Sequence, residues 1–181
     1  ILLFLLIPVG CFAQLTWQED FEQTLPFSST HWNGDTSHFS IDTAGFLQLD
    51  ALHSNSSKIL SKSSTIRFNA SWEFSIRLLF NPSSSNYTKV FLWADAEKPN
   101  DVRNGVFINI GGNSDDRLEF GAINNGTSSI LIQSPIDLLD ENRIEARIKV
   151  MVDSQQVYSL QIDTSNWKGN QFQNVGTAIF N

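Results

Sequence analysis

The feature that most constrains this chain is period-two alternation of apolar and polar residues, with almost no helical periodicity between the alternating runs. In residues 71–80, Trp72, Phe74, Ile76, Leu78 and Phe80 share one face, while Glu73, Ser75, Arg77 and Leu79 share the other. Successive side chains of a strand point to opposite sides, so this pattern is that of a strand with one face on a core. Residues 87–95 set Val90, Leu92 and Ala94 against Lys89, Phe91, Trp93 and Asp95. Residues 105–110 set Val106, Ile108 and Ile110 against Phe107 and Asn109. Residues 143–153 set Ile144, Ala146, Ile148, Val150 and Val152 against Arg143, Glu145, Arg147, Lys149 and Met151. Shorter strands are expected at 39–41, 46–49, 118–123, 129–133 and 157–162. Residues 136–141, after Pro135, read as a turn or a single helical turn.

Turn-forming residues separate these runs. Asn81-Pro82-Ser83-Ser84-Ser85-Asn86, Gly111-Gly112-Asn113-Ser114-Asp115-Asp116 and Asn124-Asn125-Gly126-Thr127 all tolerate turn dihedrals. Asn125-Gly126 has the chemistry of a two-residue hairpin tip. Many short strands without intervening helices read as an all-β fold, an antiparallel β-sandwich with one buried and one wet face per sheet. No internal repeat and no domain linker is visible, so residues 14–181 are taken as one β-sandwich domain.

Composition narrows the function classes. Lys and Arg number 12 against 19 Asp and Glu, a net charge of −7. That balance argues against a duplex nucleic-acid binder, which needs excess cations to replace counterions. Hydrophobic residues at 41% supply a core, and charged residues at 17% are too few for a disordered chain. The single Cys excludes a disulfide framework and a Cys-based zinc cluster, and the three His show no metal-ligand spacing.

Residues 1–13 form an apolar run ending in Cys11-Phe12-Ala13. The run is shorter than the roughly 20 residues of a membrane span. Its small-x-small end matches the apolar core and cleavage site of a secretory signal peptide, here without its beginning. Export places the domain in a secreted, extracellular or cell-surface setting. A second reading takes Val9-Gly10-Cys11 as part of a lipoprotein box with the lipid on Cys11, although Pro8 departs from it.

Several stretches together resemble a known family. They are Trp17-Gln18-Glu19-Asp20-Phe21, Trp32-Asn33-Gly34-Asp35-Thr36, Gly45-Phe46-Leu47-Gln48-Leu49, Trp72-Glu73-Phe74, Asn81-Pro82-Ser83-Ser84-Ser85-Asn86-Tyr87, Gly105-Val106-Phe107-Ile108, Gly126-Thr127-Ser128-Ser129 and Arg147-Ile148-Lys149-Val150. In this order they resemble the N-terminal domain of large secreted bacterial proteins that carry lamin-tail domains further along. The resemblance implies a concanavalin A-like, laminin-G-like jelly roll with further domains downstream. Two departures stand out. Asp153-Ser154-Gln155-Gln156-Val157-Tyr158 replaces the family's Gly-Asn-Trp hairpin. The family's closing strand, expected to pair near Trp17–Phe21, is also missing before Asn181, so the sandwich is expected to lack its last strand.

Chemistry-bearing motifs are sparse. Glycoside hydrolases of this fold class use Glu-x-Asp-x-x-Glu on one strand, which places a retaining carboxylate pair on one face. Ser114-Asp115-Asp116-Arg117-Leu118-Glu119 matches only the last two acids, and a serine without a base cannot replace the nucleophile. Glu141 and Glu145 make no better pair, and the acidic residues after Gly111-Gly112 would repel phosphate. The ion best suited to the loops is a structural calcium on Asp35, Asn113, Asp115 and Asp116, whose oxygens are hard ligands. Solvated turn acids are the plainer reading. Asn-x-Ser/Thr triplets at Asn55, Asn69, Asn86 and Asn125 are explained by chance in so Asn- and Ser-rich a chain, and Asp42-Thr43-Ala44 resembles a bacterial O-glycan acceptor.

A ligand face is the remaining candidate. If the middle strands are neighbours, Arg77, Lys89, Phe91, Trp93, Phe107 and Asn109 lie together on the wet side of a sheet. Aromatic rings there stack on sugars, and an apolar patch marks an interaction surface unless a loop or another domain covers it. The expected function is therefore a non-enzymatic binding or adhesion module whose partner is a glycan or a surface protein. The alternatives are a structural spacer without a ligand and a glycan hydrolase with an unrecognised acid pair.

Overall fold

The computed structural model describes residues 32–50, 57–64, 69–165 and 170–180. The leader with Cys11, and Trp17–Phe21, lie outside the described residues. The chain divides into two compact units after Lys62.

The described part of the first unit is built from short pairings. Strand β1 (Asn33–Gly34) pairs antiparallel with β4 (Leu60–Ser61), and β2 (Phe39–Ile41) pairs with β3 (Leu47–Leu49). The β2–β3 turn is tied by Asp42, whose carboxylate accepts from the Ala44 and Phe46 amides at 2.8 and 2.9 Å. Thr43 of the O-glycan-like triplet is exposed on this turn.

The second unit is an antiparallel β-sandwich of two four-stranded sheets. Strands β5 (Ala70–Leu78), β10 (Ile144–Val152), β11 (Val157–Asp163) and β12 (Gln173–Ile179) form one sheet, ordered β12-β11-β10-β5. Strands β6 (Thr88–Ala94), β7 (Gly105–Ile110), β8 (Leu118–Asn124) and β9 (Thr127–Gln133) form the other as a simple meander. Alternation in β10 is complete, with Ile144, Ala146, Ile148, Val150 and Val152 all buried. In β5, Trp72, Phe74, Ile76 and Leu78 turn to the same core, as their spacing predicts. Between the sheets, Ile108, Ile110, Leu118, Phe120, Ile148, Val150 and Leu160 are fully buried. The Phe120 and Tyr158 rings meet across the core with centroids 5.0 Å apart. At roughly 1.5–3 kcal/mol for each buried large apolar side chain, this core is the main stabilising element.

Turns follow their local chemistry. Asn125 and Gly126 both have positive φ, 50° and 80°, as a two-residue hairpin between right-twisted strands requires. Residues 136–139 form a turn.

Strand β12 is an element that alternation does not reveal. Its register against β11 shifts between Leu160 and Gln161, which changes the facing of Val175, Thr177 and Ile179 along the strand. Val175, Ala178 and Phe180 pack against the core, while Ile179 is 62% exposed. Gly176 faces β9 so closely that a Cβ there would lie 2.8 Å from Ile132 Cγ2.

Candidate functional site

The candidate face is the outer side of the β6–β9 sheet, and register determines its composition. Lys89 pairs with Asn109, Asn109 with Glu119, and Glu119 with Gln133. One row of long polar side chains therefore crosses all four strands. The next row holds Phe91, Phe107 and Gly121, and the row after it Ala94, Gly105 and Ile123.

Glu119 anchors the polar row. It is only 6% exposed, yet both of its oxygens are used. Asn109 Nδ2 donates to Oε2 at 3.2 Å, and Gln133 Nε2 donates to Oε1 at 2.8 Å. A carboxylate only accepts hydrogen bonds, so it selects the nitrogen end of each amide. Asn109 Oδ1 is consequently directed elsewhere, buried and without a hydrogen-bond partner. An unmade bond of this kind costs about 1–3 kcal/mol.

Lys89 lies over the aromatic row. Its Nζ is 4.2 Å from the Phe107 ring centroid and 5.9 Å from that of Phe91, within cation–π range. Partial burial lowers the pKa of its ammonium, against which the Glu119 charge acts.

The rings differ from their expected exposure. Phe107 points to the outer side but is 1% exposed, packed with Val102, Ile123, Phe91, Ala94 and Ala96 in a satellite core. Its ring lies across Gly121, where a Cβ would come within 2.4 Å of Phe107 Cζ. Phe91 meets Phe107 at a centroid distance of 5.8 Å and stays half-buried. The β6–β7 loop contributes Val102 to this cover and is held by Asp95. The Asp95 carboxylate accepts from the Arg103 and Asn104 amides and from Asn104 Nδ2, at 2.9, 3.0 and 3.0 Å. Those bonds, the Asn104 amide foremost, hold the Asp95 pKa below the ordinary carboxylate range.

Trp93 and Ala94 exchange faces relative to strict alternation. The β6–β7 pairing passes from Phe91↔Phe107 to Trp93↔Val106, so Leu92 is one residue more than β7 can match. Leu92 and Trp93 both turn to the main core, and Trp93 Nε1 donates to Tyr158 Oη at 3.4 Å. Ala94 turns outward into the satellite core. Trp93 is therefore partly buried against the main core and does not stand on the outer face with Phe91.

Arg77 is on β5, in the other sheet, and does not join Lys89, Phe91, Phe107 and Asn109. There it pairs with Glu145 at 3.0 Å. Arg143 shares Glu145, whose carboxyl is held below its ordinary range by Arg143 first and Arg77 second. Arg147 binds Glu73 at 2.7 Å and Asn170 at 2.8 Å, and both Arg147 and Lys149 lie against the Phe172 ring.

The residues expected to suit calcium make contacts within the protein. Asp115 pairs with Arg117 at 3.2 Å, and its amide is bonded by Asn113 Oδ1 at 3.0 Å. Asp115 and Asp116 accept through their backbone carbonyls from the Asp137 and Leu139 amides. Asp35 belongs to the first unit, where its carboxylate accepts from the Ile59 amide at 3.0 Å. Among the described residues, no group of three or more His, Cys, Asp or Glu is placed to hold a metal. No described helix is long and apolar enough to cross a membrane.

Glu119 and Gln133 are the members of this face that sequence reasoning missed. Glu119 stood out only as part of an acid motif, whereas its cross-strand position makes it the acceptor for two amides. No family model, curated protein or solved structure matches this chain.

Proposed function

We propose that this chain is a non-enzymatic module of a secreted or cell-surface protein, and that it engages a glycan or another surface protein through the outer face of the β6–β9 sheet. The observation that carries this reading is the row Lys89, Asn109, Glu119 and Gln133, in register across four strands and bordered by half-buried Phe91 and by Ile130, 39% exposed. Polar groups held in order beside accessible apolar surface suit contact with a partner that is itself amphipathic, as a sugar ring is. The jelly-roll resemblance supports a surface setting by analogy of fold, which does not identify a ligand.

The test is a glycan-array screen and a surface-protein capture with the folded chain, repeated with Phe91→Ala and Gln133→Ala. Binding lost in those variants supports the face. Binding that survives both removes it from the site. A folded chain that binds nothing favours the spacer reading, for which the inward turn of Trp93 and the burial of Phe107 already argue.

A further inference from the structure

Strand register sets the three groups of a condensation reaction at neighbouring positions of the polar row, and this inference goes beyond the binding reading and does not depend on it. Lys89 on β6 is the direct cross-strand partner of Asn109 on β7. Directly opposed residues have Cβ atoms about 4.5–5.5 Å apart, well within the reach of a lysine amine. Glu119 on β8 is the next residue of the same row, and its Oε2 accepts from Asn109 Nδ2 at 3.2 Å. The Phe107 ring, 4.2 Å from Lys89 Nζ, shields the amine from water on one side.

We propose that Lys89 and Asn109 condense in the folded chain to a side-chain amide crosslink between β6 and β7, with Glu119 as the proton relay. Neutral Lys89 Nζ attacks Asn109 Cγ, forming the Nζ–Cγ bond. Glu119 takes a proton from Nζ and delivers it to Nδ2, the atom it already contacts. The Cγ–Nδ2 bond breaks and ammonia leaves. One amine and one primary amide become one secondary amide and one ammonia, with no oxidant or reductant involved. Two further features assist. Partial burial favours the neutral, nucleophilic amine of Lys89. Asn109 Oδ1 has no hydrogen-bond partner, so Glu119 alone orients the amide through its leaving nitrogen. Proximity and orientation supplied by folding replace the encounter step of the reaction.

The experiment is tryptic mapping of the purified, folded 181-residue chain by tandem mass spectrometry. Acylated Lys89 resists trypsin. Peptide 78–103 should therefore appear joined to peptide 104–117, and the pair should weigh one ammonia less than the sum of the two. Asn104-Gly105 and Asn125-Gly126 can lose the same ammonia by succinimide formation, so intact mass is not decisive and the branched peptide is. Lys89→Arg and Asn109→Ala should abolish it, and Glu119→Gln should leave the chain cleaved after Lys89 with peptide 104–117 linear. Asn109→Asp should restore the branched peptide with loss of water in place of ammonia. A cooperatively folding wild-type chain cleaved fully after Lys89, with peptide 104–117 only in linear form, overturns the proposal whatever the chain binds.

Discussion

The two outer faces of the sandwich handle charge in different ways. On the sheet containing β5 and β10, Arg77, Arg143, Arg147 and Lys149 are matched to Glu73 and Glu145 in partly solvated pairs. On the β6–β9 sheet, a single carboxylate is buried and held by two neutral amides, and the nearby lysine rests on an aromatic ring. Solvated pairs are screened and replaceable, so they contribute little individually. A buried polar group has no water to fall back on, so its partners are interdependent. The ion pairs of the first face tolerate substitution, although Asp163 beside them is fully buried, whereas on the second face a single change at Glu119 has consequences.

The comparison can be broken or sharpened by mutation, beginning with the core beneath both faces. Phe120→Ala should cost about 3–5 kcal/mol, because Phe120 is fully buried against Tyr158, and urea denaturation would read it. It sets the scale on which the faces are compared. Gly121→Val should cost about 1–3 kcal/mol or more, since even a Cβ at that site meets Phe107 at 2.4 Å and the Ser129 carbonyl at 2.9 Å. Glu119→Ala should cost about 1–3 kcal/mol by leaving the part-buried Asn109 amide without its acceptor, while the exposed Gln133 amide returns to water. On the opposite face, Lys149→Ala removes a pair 3.5 Å long and should cost about 0–1 kcal/mol, a cost that shrinks at high salt. If Glu119→Ala proves no worse than Lys149→Ala, the contrast between the faces is wrong.

Acid sharpens the comparison further. The Asp95 and Asp163 carboxyls lie below their ordinary value of 3.8 in the folded chain, Asp163 chiefly through the Ser165 hydroxyl and amide. Each binds protons more weakly folded than unfolded. Their stabilisation is therefore present above that value and lost as pH falls through the lower, folded pKa. A free Lys89 amine behaves oppositely at the alkaline end. Its depressed pKa penalises the folded state at neutral pH, and the penalty lifts as pH rises towards 10.5. A pH series of urea midpoints should show the acid loss in wild type and its reduction in Asp95→Asn. Condensation of Lys89 with Asn109 predicts no alkaline rise in wild type, and a rise that vanishes in Lys89→Met would show that the amine is free.

Much of this was legible in the sequence, and the omissions have physical causes. The alternation in 143–153 and 71–80 assigned every core residue of β10, and those of β5 from Trp72 onward, to the correct side. Asn125-Gly126 marked its own hairpin through the dihedrals those residues accept. Alternation failed at Trp93 and in β12, and both lie at register shifts. An additional residue there changes which side every later side chain faces. A shift depends on the partner strand, so no property of the strand's own residues announces it.

The sequence by itself determined that this chain builds strands, which side of most strands meets the core, and where the tightest turn falls. These are local matters of side-chain period and backbone preference. The tertiary structure alone decided that Arg77 belongs to the other sheet, that Phe107 is covered, and that Lys89, Asn109, Glu119 and Gln133 stand in one row. Such a row joins residues up to 44 positions apart, from Lys89 to Gln133 (133 − 89). Only the pairing of strands, set by the burial they achieve together, brings them into register.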